Sequence, residues 1–309
     1  MRVSHQTRIV VSSVTMVIAL LLVMAALWLP KVDRTIKVMD LLFVIDITQS
    51  MNVEDAELDS EMVSRIAWAK SYTHDALASL PCGTHAGLAV FSESRSLILM
   101  NPVEICQNYH DVIQMLSKVD GTMAWAQSSE VSKAVFTAIK YAQEIKPAPS
   151  IVFVTDGHES PPIHDTLFPK FRGEPGKIAG VFVGVGGDDL LPIPRRDETG
   201  KAIGFWDIND VLHRDVYLSG RADLDQRPRT EHLSTQKKSH IEGLAAMVAF
   251  DYIASPEKSK TLIKTLQKTA HTREQQVNYD LSPWLAAIAL LLLVLVYLPF
   301  NLVRNTDSV

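Results

Sequence analysis

Carboxylate and hydroxyl side chains alternate at the end of an apolar stretch near the start of the chain. In "LLFVIDITQSMN" (residues 41–52), the apolar run ends at Asp46, and Thr48 and Ser50 follow at every second position. This spacing lets one tight loop turn three oxygen-bearing side chains towards a common centre. An all-oxygen group of this kind suits a hard cation such as Mg²⁺ or Ca²⁺, whereas zinc and copper prefer nitrogen or sulfur ligands.

A second apolar strand also ends in an acid. "SIVFVTDG" (150–157) places Asp156 after a buried run, and Ser129 opens the segment "SEVSKAV". Sites in open α/β sheets form beyond the carboxyl ends of the strands, so these side chains are expected to meet Asp46 there. The alternative is that Asp46 and Ser50 only cap a loop and a helix start, as Asp and Ser commonly do. The second strand ending in an acid favours the cation site.

Alternating strands and helices are predicted to position these side chains within a domain spanning residues 37–270. The predicted strands are 38–45, 85–92, 95–101, 150–157 and 178–187, and the predicted helices are 60–80, 109–119, 129–145, 241–253 and 256–269. Fully apolar strands that alternate with helices are typical of a doubly wound α/β fold with a mainly parallel sheet. The tight connection around Ser94 predicts one antiparallel edge strand. Residues 188–235 are the least regular and are predicted to form an inserted loop.

Two further segments are unusually apolar. Residues 9–29 contain no charge and are long enough to span a bilayer, and residues 282–303 are predicted to form a second transmembrane helix. Two spans place residues 1–8 and 304–309 on one side, predicted to be cytoplasmic, with the domain on the other. In a bacterium this domain is periplasmic and the chain lies in the inner membrane. The alternatives are a cleaved signal peptide for the first segment and a buried core helix for the second.

The composition excludes some classes of function. The 309 residues are 47% hydrophobic with a net charge of −5, which argues against binding to nucleic acid. The chain lacks a Gly-x-Ser-x-Gly motif and a phosphate-binding loop, so an enzyme is not expected. His158, Glu159 and His164 lack the spacing of a zinc protease, and two prolines interrupt their segment. They are predicted to lie on a rigid loop, where His158 could support the cation site without binding the ion itself.

The only two cysteines flank the predicted hairpin. Cys82 precedes its first strand and Cys106 follows its second, at nearly equal distances from the turn. They are therefore expected to face each other at the open end of the hairpin. A location outside the cytoplasm favours a disulfide between them. Two separate buried thiols are the alternative, because a sequence does not fix the Cα spacing that a bridge requires.

The segments "DLLFVIDITQSM", "SSEVSKAV" and "IVFVTDG" together resemble the von Willebrand factor A domain and its metal-ion-dependent adhesion site. The resemblance implies that Asp46, Thr48, Ser50, Ser129 and Asp156 hold the cation. Thr48 stands where the family has serine and Ser129 where it has threonine, and Thr122 is the alternative to Ser129. In this family a partner's Asp or Glu completes the coordination shell, so the resemblance implies a binding module.

Two narrower resemblances concern the loops and the apolar segments. "GVGGDDLLPIPRRDETGKAIGFW" and the two predicted spans resemble bacterial membrane-anchored proteins of the Bat aerotolerance group. "DITQSMNVED" and "TDGHESPPIH" resemble the MxaL accessory proteins encoded with bacterial methanol dehydrogenase. The latter implies a role in the maturation of a quinoprotein dehydrogenase and in its calcium insertion. The implied partners are that enzyme or other accessory proteins of its system.

Three alternatives to this function remain open at the level of the sequence. The first is a stress-related or chaperone-adaptor protein of the Bat type. The second is a hydrolase whose cation activates water, although no general base is evident near the cluster. The third is a degenerate domain that binds partners without metal.

Overall fold

The computed structural model describes residues 5–28, 32–163, 168–211, 230–256 and 259–297. The chain forms two compact units. The smaller unit comprises Met1–Ile36 and Glu274–Val309, and the larger one comprises Lys37–Arg273. The predicted site residues all belong to the larger unit.

The described residues form seven helices and thirteen strands. The helices are α1 (His5–Trp28), α2 (Arg65–Ala78), α3 (Tyr109–Lys118), α4 (Val131–Glu144), α5 (Lys238–Val248), α6 (Ser259–Thr269) and α7 (Ser282–Tyr297), with 3₁₀ turns at Gln49–Asn52 and Gly121–Met123. The strands are β1 (Val32–Asp46), β2 (Ala56–Leu58), β3 (Glu61–Val63), β4 (His85–Ser92), β5 (Arg95–Glu104), β6 (Ser150–Thr155), β7 (Gly180–Gly184), β8 (Leu191–Pro192), β9 (Pro194–Arg196), β10 (Ala202–Phe205), β11 (Leu233–Ser234), β12 (Asp251–Ala254) and β13 (Thr272–Tyr279).

The main sheet has the order β12-β7-β6-β1-β4-β5, and β13 also pairs with β1. The neighbours along this order are parallel except β4 and β5, which form an antiparallel hairpin. The predicted α/β fold with a mainly parallel sheet and one antiparallel edge strand is therefore confirmed. Strand β1 lies between β4 and β6, so Asp46 leaves the sheet at its centre.

Side chains along β1 alternate between two hydrophobic layers. Leu41, Phe43 and Ile45 pack with helices α2, α3 and α6 on one face, whereas Leu42 and Val44 pack with α4 and α5 on the other. All five side chains are almost fully buried. Burial on both faces explains why this strand has a continuous apolar sequence instead of an alternating one. The sheet is thus covered by helices on both sides.

Two predicted helix boundaries were wrong. Helix α2 begins at Arg65 instead of residue 60, because Ser64 caps its first turn and accepts a hydrogen bond from the backbone N–H of Ala67 (3.3 Å). The residues before it form the short hairpin β2–β3. Helix α5 ends at Val248, and the following residues form β12 at the edge of the main sheet. An apolar stretch of this length does not distinguish a helix from a short helix followed by a strand.

The predicted insertion contains four short strands within its described part. Strand β8 pairs with β11, and β9 pairs with β10 in a small hairpin. Ile193 and Trp206 pack against Val53, which follows the first 3₁₀ turn. The insertion therefore contacts the loop that carries Thr48 and Ser50. Residues 212–229 lie outside the described residues.

In the smaller unit, helices α1 and α7 pack against each other. The Ser282 hydroxyl donates a hydrogen bond to the Ala26 carbonyl (2.7 Å). Large apolar side chains on both helices are exposed, among them Leu20, Leu27 and Leu290. Within the described part of the chain, no helix combines the length and the apolarity needed to cross a membrane. The flanking residues 1–4 and 298–309 lie outside it.

Cys82 and Cys106 form a disulfide with a Cα–Cα distance of 5.2 Å. The bond closes the open end of the β4–β5 hairpin, where His85 lies opposite Glu104. This is the arrangement that the spacing of the two cysteines around the hairpin predicted.

Candidate metal centre

Asp46 lies at the carboxyl end of the central strand and is fully buried. Its Oδ1 accepts hydrogen bonds from the backbone N–H (2.9 Å) and the hydroxyl (2.7 Å) of Thr48. Its Oδ2 accepts a hydrogen bond from the Thr155 hydroxyl (2.6 Å) at the end of the neighbouring strand. Burial and the nearby charge of Asp156 raise the pKa of Asp46 to about 7, although these hydrogen bonds oppose the shift. The carboxylate is therefore fixed in position but lacks a compensating charge.

Three predicted hydroxyl ligands line one pocket at this end of the sheet. The Oγ atoms of Thr48 and Ser50 are 3.4 Å apart, and Ser129 lines the same pocket. Each of the three residues is 2% exposed. The first 3₁₀ turn positions Ser50, while backbone hydrogen bonds to Ser160 (2.7 Å each) position Ser129. The structure thus brings together hydroxyls that are up to 81 positions apart in the sequence.

Asp156 follows β6 and is also fully buried. Its Oδ2 accepts hydrogen bonds from the Arg65 guanidinium (2.6 Å) and the Ser234 hydroxyl (3.2 Å). Its Oδ1 accepts a hydrogen bond from the backbone N–H of His158 (2.9 Å). Burial disfavours ionisation of this carboxyl group, but the Arg65 charge prevails and holds the pKa of Asp156 below its usual value. Asp156 is therefore ionised and already paired with a positive charge.

Arg65 is the centre of a buried network that the sequence analysis missed. Its side chain is fully buried, and its guanidinium binds both oxygens of Asp55 (2.8 and 2.7 Å). It also donates hydrogen bonds to the Ser234 hydroxyl (2.7 Å) and, more weakly, to the Ser50 carbonyl (3.4 Å). Gly186, at a φ of 102°, lies so close that a Cβ there would be 2.5 Å from Arg65 Nε. Only glycine fits this position.

This network also holds the base of the insertion. Asp55 accepts a hydrogen bond from the backbone N–H of Gly187 (2.9 Å), where the insertion begins. Ser234, where the insertion returns to the domain, is bound to Arg65. The backbone N–H of Gln236 then donates to the Gly187 carbonyl (3.0 Å). One buried arginine therefore connects a predicted cation ligand to both ends of the insertion.

His158 lines the same pocket and is 5% exposed. Among the described residues, neither ring nitrogen of His158 has a hydrogen-bond partner. Burial lowers the pKa of this imidazole to about 4, so the ring is neutral near pH 7. The sequence predicted that His158 would lie near the site, which the structure agrees with, but gave no reason to expect an unpaired ring.

Glu159 has a structural role. Its carboxylate accepts hydrogen bonds from the backbone N–H groups of Val131 (3.1 Å) and Ser132 (3.0 Å) at the start of α4. An acidic side chain at a helix N-terminus satisfies free backbone N–H groups and stabilises the helix dipole. His240 Nε2 also lies 3.0 Å from this carboxylate. His164, the third member of the segment considered above, lies outside the described residues.

Thr122, the alternative to Ser129, lies in the second 3₁₀ turn. Its hydroxyl donates to Asp120 Oδ1 (2.5 Å), which also accepts a hydrogen bond from the backbone N–H of Thr122 (2.8 Å). Thr122 is not among the residues that line the pocket, whereas Ser129 is. The geometry favours Ser129 as the third hydroxyl.

The insertion supplies a further part of the wall of the pocket, which has a volume of about 110 Å³. Ile193 and Trp206 form its apolar part, and the Arg195 guanidinium lies over the Trp206 ring at 4.8 Å. The acidic residues Asp210 and Glu231 also line the pocket. A group that enters thus meets hydroxyls and an imidazole on one side and a mixed apolar and acidic surface on the other.

The chain is similar to a known domain family and to several solved structures. Residues 41–158 match the family described as the von Willebrand factor type A domain. Among solved structures, the chain is similar to an aerotolerance-related membrane protein from Bacteroides fragilis (16% identity, TM-score 0.49, covering 75% of this chain and 98% of that chain). It is also similar to an uncharacterized membrane-spanning protein from Vibrio fischeri (17% identity, TM-score 0.30, covering 74% and 96%). The search of curated proteins found no match.

Proposed function

We propose that this chain, whose residues 41–158 match the von Willebrand factor type A domain, binds a partner protein through a divalent cation. The observation that carries the proposal is the pocket in which Thr48, Ser50 and Ser129 lie together. Two buried carboxylates, Asp46 and Asp156, lie at the ends of adjacent strands beside it. Neutral hydroxyls that face a pocket with acids behind them are a suitable donor set for a cation.

The hydroxyl and carboxylate oxygens of this site suit a divalent cation. The pKa of Asp46 is raised because its carboxylate is buried and lies near the negative charge of Asp156. A cation bound nearby would reduce this electrostatic repulsion. The Thr48 hydroxyl donates a hydrogen bond to Asp46, which leaves an oxygen lone pair available for an ion. On the oxygen donors alone, Mg²⁺ and Ca²⁺ both fit.

Each residue has a separate task in this proposal. The hydroxyls of Thr48, Ser50 and Ser129 hold the ion directly, while Asp46 and Asp156 balance its charge. Thr155 fixes Asp46, and Arg65 fixes Asp156. When bound, the cation supplies a positive charge that is only partly neutralised, and this charge attracts an Asp or Glu of the partner. The apolar wall at Ile193 and Trp206 excludes water from that contact.

We propose binding instead of catalysis. The ring nitrogens of His158 form no hydrogen bond to a serine or threonine among the described residues, so a histidine-activated hydroxyl nucleophile does not support a catalytic role. A hydrolase whose cation activates water remains the alternative function. Turnover of any ester or phosphate substrate that is abolished by Asp46→Ala would favour it.

We also propose that the apolar segments 9–29 and 282–303 anchor the chain in a bacterial inner membrane, with the domain in the periplasm. The exposed apolar side chains of α1 and α7 and the uncharged segment 9–29 support this. The disulfide between Cys82 and Cys106 is consistent with an oxidising compartment. Reporter fusions at Gly121 and at the C-terminus should give opposite signals, and equal signals would contradict the two-span topology.

The partner that we propose is a quinoprotein dehydrogenase, or another accessory protein of its system. This rests on the resemblance of the loop segments around Asp46 and Asp156 to accessory proteins of bacterial methanol dehydrogenase. The chain would then assist calcium insertion or assembly of that enzyme. Cells that carry Asp46→Ala should produce dehydrogenase with less calcium and lower activity, whereas full calcium occupancy would contradict the maturation role.

The metal-dependent mechanism has its own test. The full-length chain in detergent is used to capture its partner with Mg²⁺ or Ca²⁺ present and again with a chelator. Capture should fail with the chelator and with Asp46→Ala, but persist with Asp75→Ala, whose side chain is exposed on α2. Equal capture with and without chelator would favour a degenerate domain that needs no metal. A captured partner unrelated to dehydrogenases would favour a chaperone-adaptor or aerotolerance role.

A further inference from the structure

His158 is a buried imidazole whose two ring nitrogens have no hydrogen-bond partner among the described residues. Leaving a buried polar group unpaired costs about 1–3 kcal/mol, so such groups usually have a ligand or an ordered water. His158 is one of the residues that line the pocket containing Thr48, Ser50 and Ser129. A ligand that occupies this pocket is therefore within reach of the imidazole.

The backbone of His158 is fixed between two of the predicted cation ligands. Its N–H donates to Asp156 Oδ1 (2.9 Å), and its carbonyl accepts a hydrogen bond from the Ser129 hydroxyl (2.7 Å). The imidazole is thus attached to the loop that carries Asp156, and the same residue is hydrogen-bonded to Ser129, which precedes α4. Neither ring nitrogen forms a hydrogen bond within the described residues, so the nitrogen without a proton keeps a free lone pair, as a metal ligand requires.

The charge balance of the site points in the same direction. Asp156 is already paired with Arg65 (2.6 Å), which removes much of the negative charge that a hard cation needs. The hydroxyl groups of Thr48, Ser50 and Ser129 are neutral, and each binds a metal ion only weakly. A neutral imidazole adds little attraction for Mg²⁺ or Ca²⁺, but it is a favourable ligand for divalent ions of the first transition series.

We propose that His158 binds the cation directly and gives the site a mixed nitrogen and oxygen donor set that prefers first-row transition ions over Mg²⁺ and Ca²⁺. This inference rests on the proposed cation site and specifies which class of ion occupies it. It assigns to His158 the role of a ligand, instead of the supporting position that the sequence predicted.

The direct test is the coordination of Mn²⁺ by the full-length chain in detergent. Pulsed electron paramagnetic resonance detects the magnetic coupling between Mn²⁺ and a nitrogen bound to it. The wild-type chain should show the coupling of one imidazole nitrogen, and His158→Ala should lose it. His74→Ala is the matched control, because His74 is exposed on α2, and this variant should retain the coupling.

Ion selectivity provides a second readout. Competition between Co²⁺ and Mg²⁺ should show tighter binding of Co²⁺ to the wild-type chain, and His158→Asn should reduce this preference by about tenfold or more. Asparagine offers an oxygen in place of the nitrogen and remains polar, which guards against misfolding. A folded variant should still bind Mg²⁺.

The outcomes separate this inference from the function on which it rests. Mn²⁺ that binds to the wild-type chain without nitrogen coupling would overturn the role of His158 and leave an all-oxygen site. Coupling that persists in His158→Ala would also overturn it, because another nitrogen would then be the ligand. If neither Mn²⁺, Co²⁺ nor Mg²⁺ binds, the proposed cation site itself is wrong.

Discussion

Replacement of Arg65 by alanine should strongly destabilise the domain. The substitution removes the positive partner of Asp55 and Asp156, whose carboxylates are 7% and 0% exposed. Loss of one partner from a buried ion pair costs about 3–5 kcal/mol, because the remaining charge is left without water or a counter-ion. It also removes the guanidinium donor to the Ser234 hydroxyl.

An exposed ion pair shows how much smaller the loss of stability should be where water surrounds the charges. Arg95 and Glu93 form a salt bridge of 3.4 Å in which the arginine side chain is 64% exposed. Water screens such a pair, so Arg95→Ala should cost less than about 1 kcal/mol. For a domain of this size, Arg65→Ala should lower the Tm by about 6–20 °C.

The assay is urea unfolding of the full-length chain in detergent with a chelator present, and pulse proteolysis measures the unfolded fraction at each urea concentration. The chelator matters because a bound cation could replace part of the missing charge. The double variant Arg65→Ala/Asp156→Asn should recover part of the loss, since one of the uncompensated charges is gone. If Arg65→Ala costs no more than Arg95→Ala, the reasoning about the buried network is refuted.

Three further predictions concern the surroundings of the site. Thr155→Val should lower the free energy of unfolding by about 1–3 kcal/mol and weaken cation binding, because the Asp46 carboxylate loses the hydroxyl that fixes it. Denaturation measures the first effect and metal titration the second. Burial opposes ionisation of Glu104, but backbone N–H groups that donate to it hold its pKa below 4.5. Glu104→Gln should therefore be less stable than wild type at pH 7, with a difference that vanishes as the pH falls through the folded-state pKa; a constant difference across a pH series of unfolding curves would contradict this. Replacing Cys82 and Cys106 by alanine should cost about 3 kcal/mol, because the bond closes a loop with a separation of 24 residues, and reduction of the wild-type chain should have the same effect on its denaturation midpoint.

The agreement between sequence and structure is best where local pattern and burial impose the same requirement. The apolar run before Asp46 predicts a buried strand, and β1 is buried between β4 and β6. The hairpin between residues 85 and 104 was predicted because a tight turn separates two strands. Disagreement arises at residues 241–253, where the chain leaves a helix to add β12 to the sheet edge. That edge exists only once β7 is in place, so no local pattern specifies it.

Several contributors to the site could not be read from local sequence. Arg65 binds Ser234 across 169 positions and Asp156 across 91, and nothing in the first turn of a helix marks an arginine that will be buried. Thr155 is different, because it directly precedes Asp156, and its side chain could have been considered for that reason. Its bond to Asp46 across 109 positions still depends on the parallel pairing of the two strands.

The sequence by itself determined the donor types and their local order. Alternate spacing of Asp46, Thr48 and Ser50 fixes which side chains one loop can turn to the same side, because that spacing is a property of the backbone. Only the tertiary structure decided how the charge of those donors is balanced and which neighbours complete the pocket. Arg65 and His158 acquire their roles through burial, which removes water and makes each unpaired charge or ring nitrogen costly. Burial depends on the packing of distant segments, and that packing exists only after the sheet, its helices and the insertion have come together.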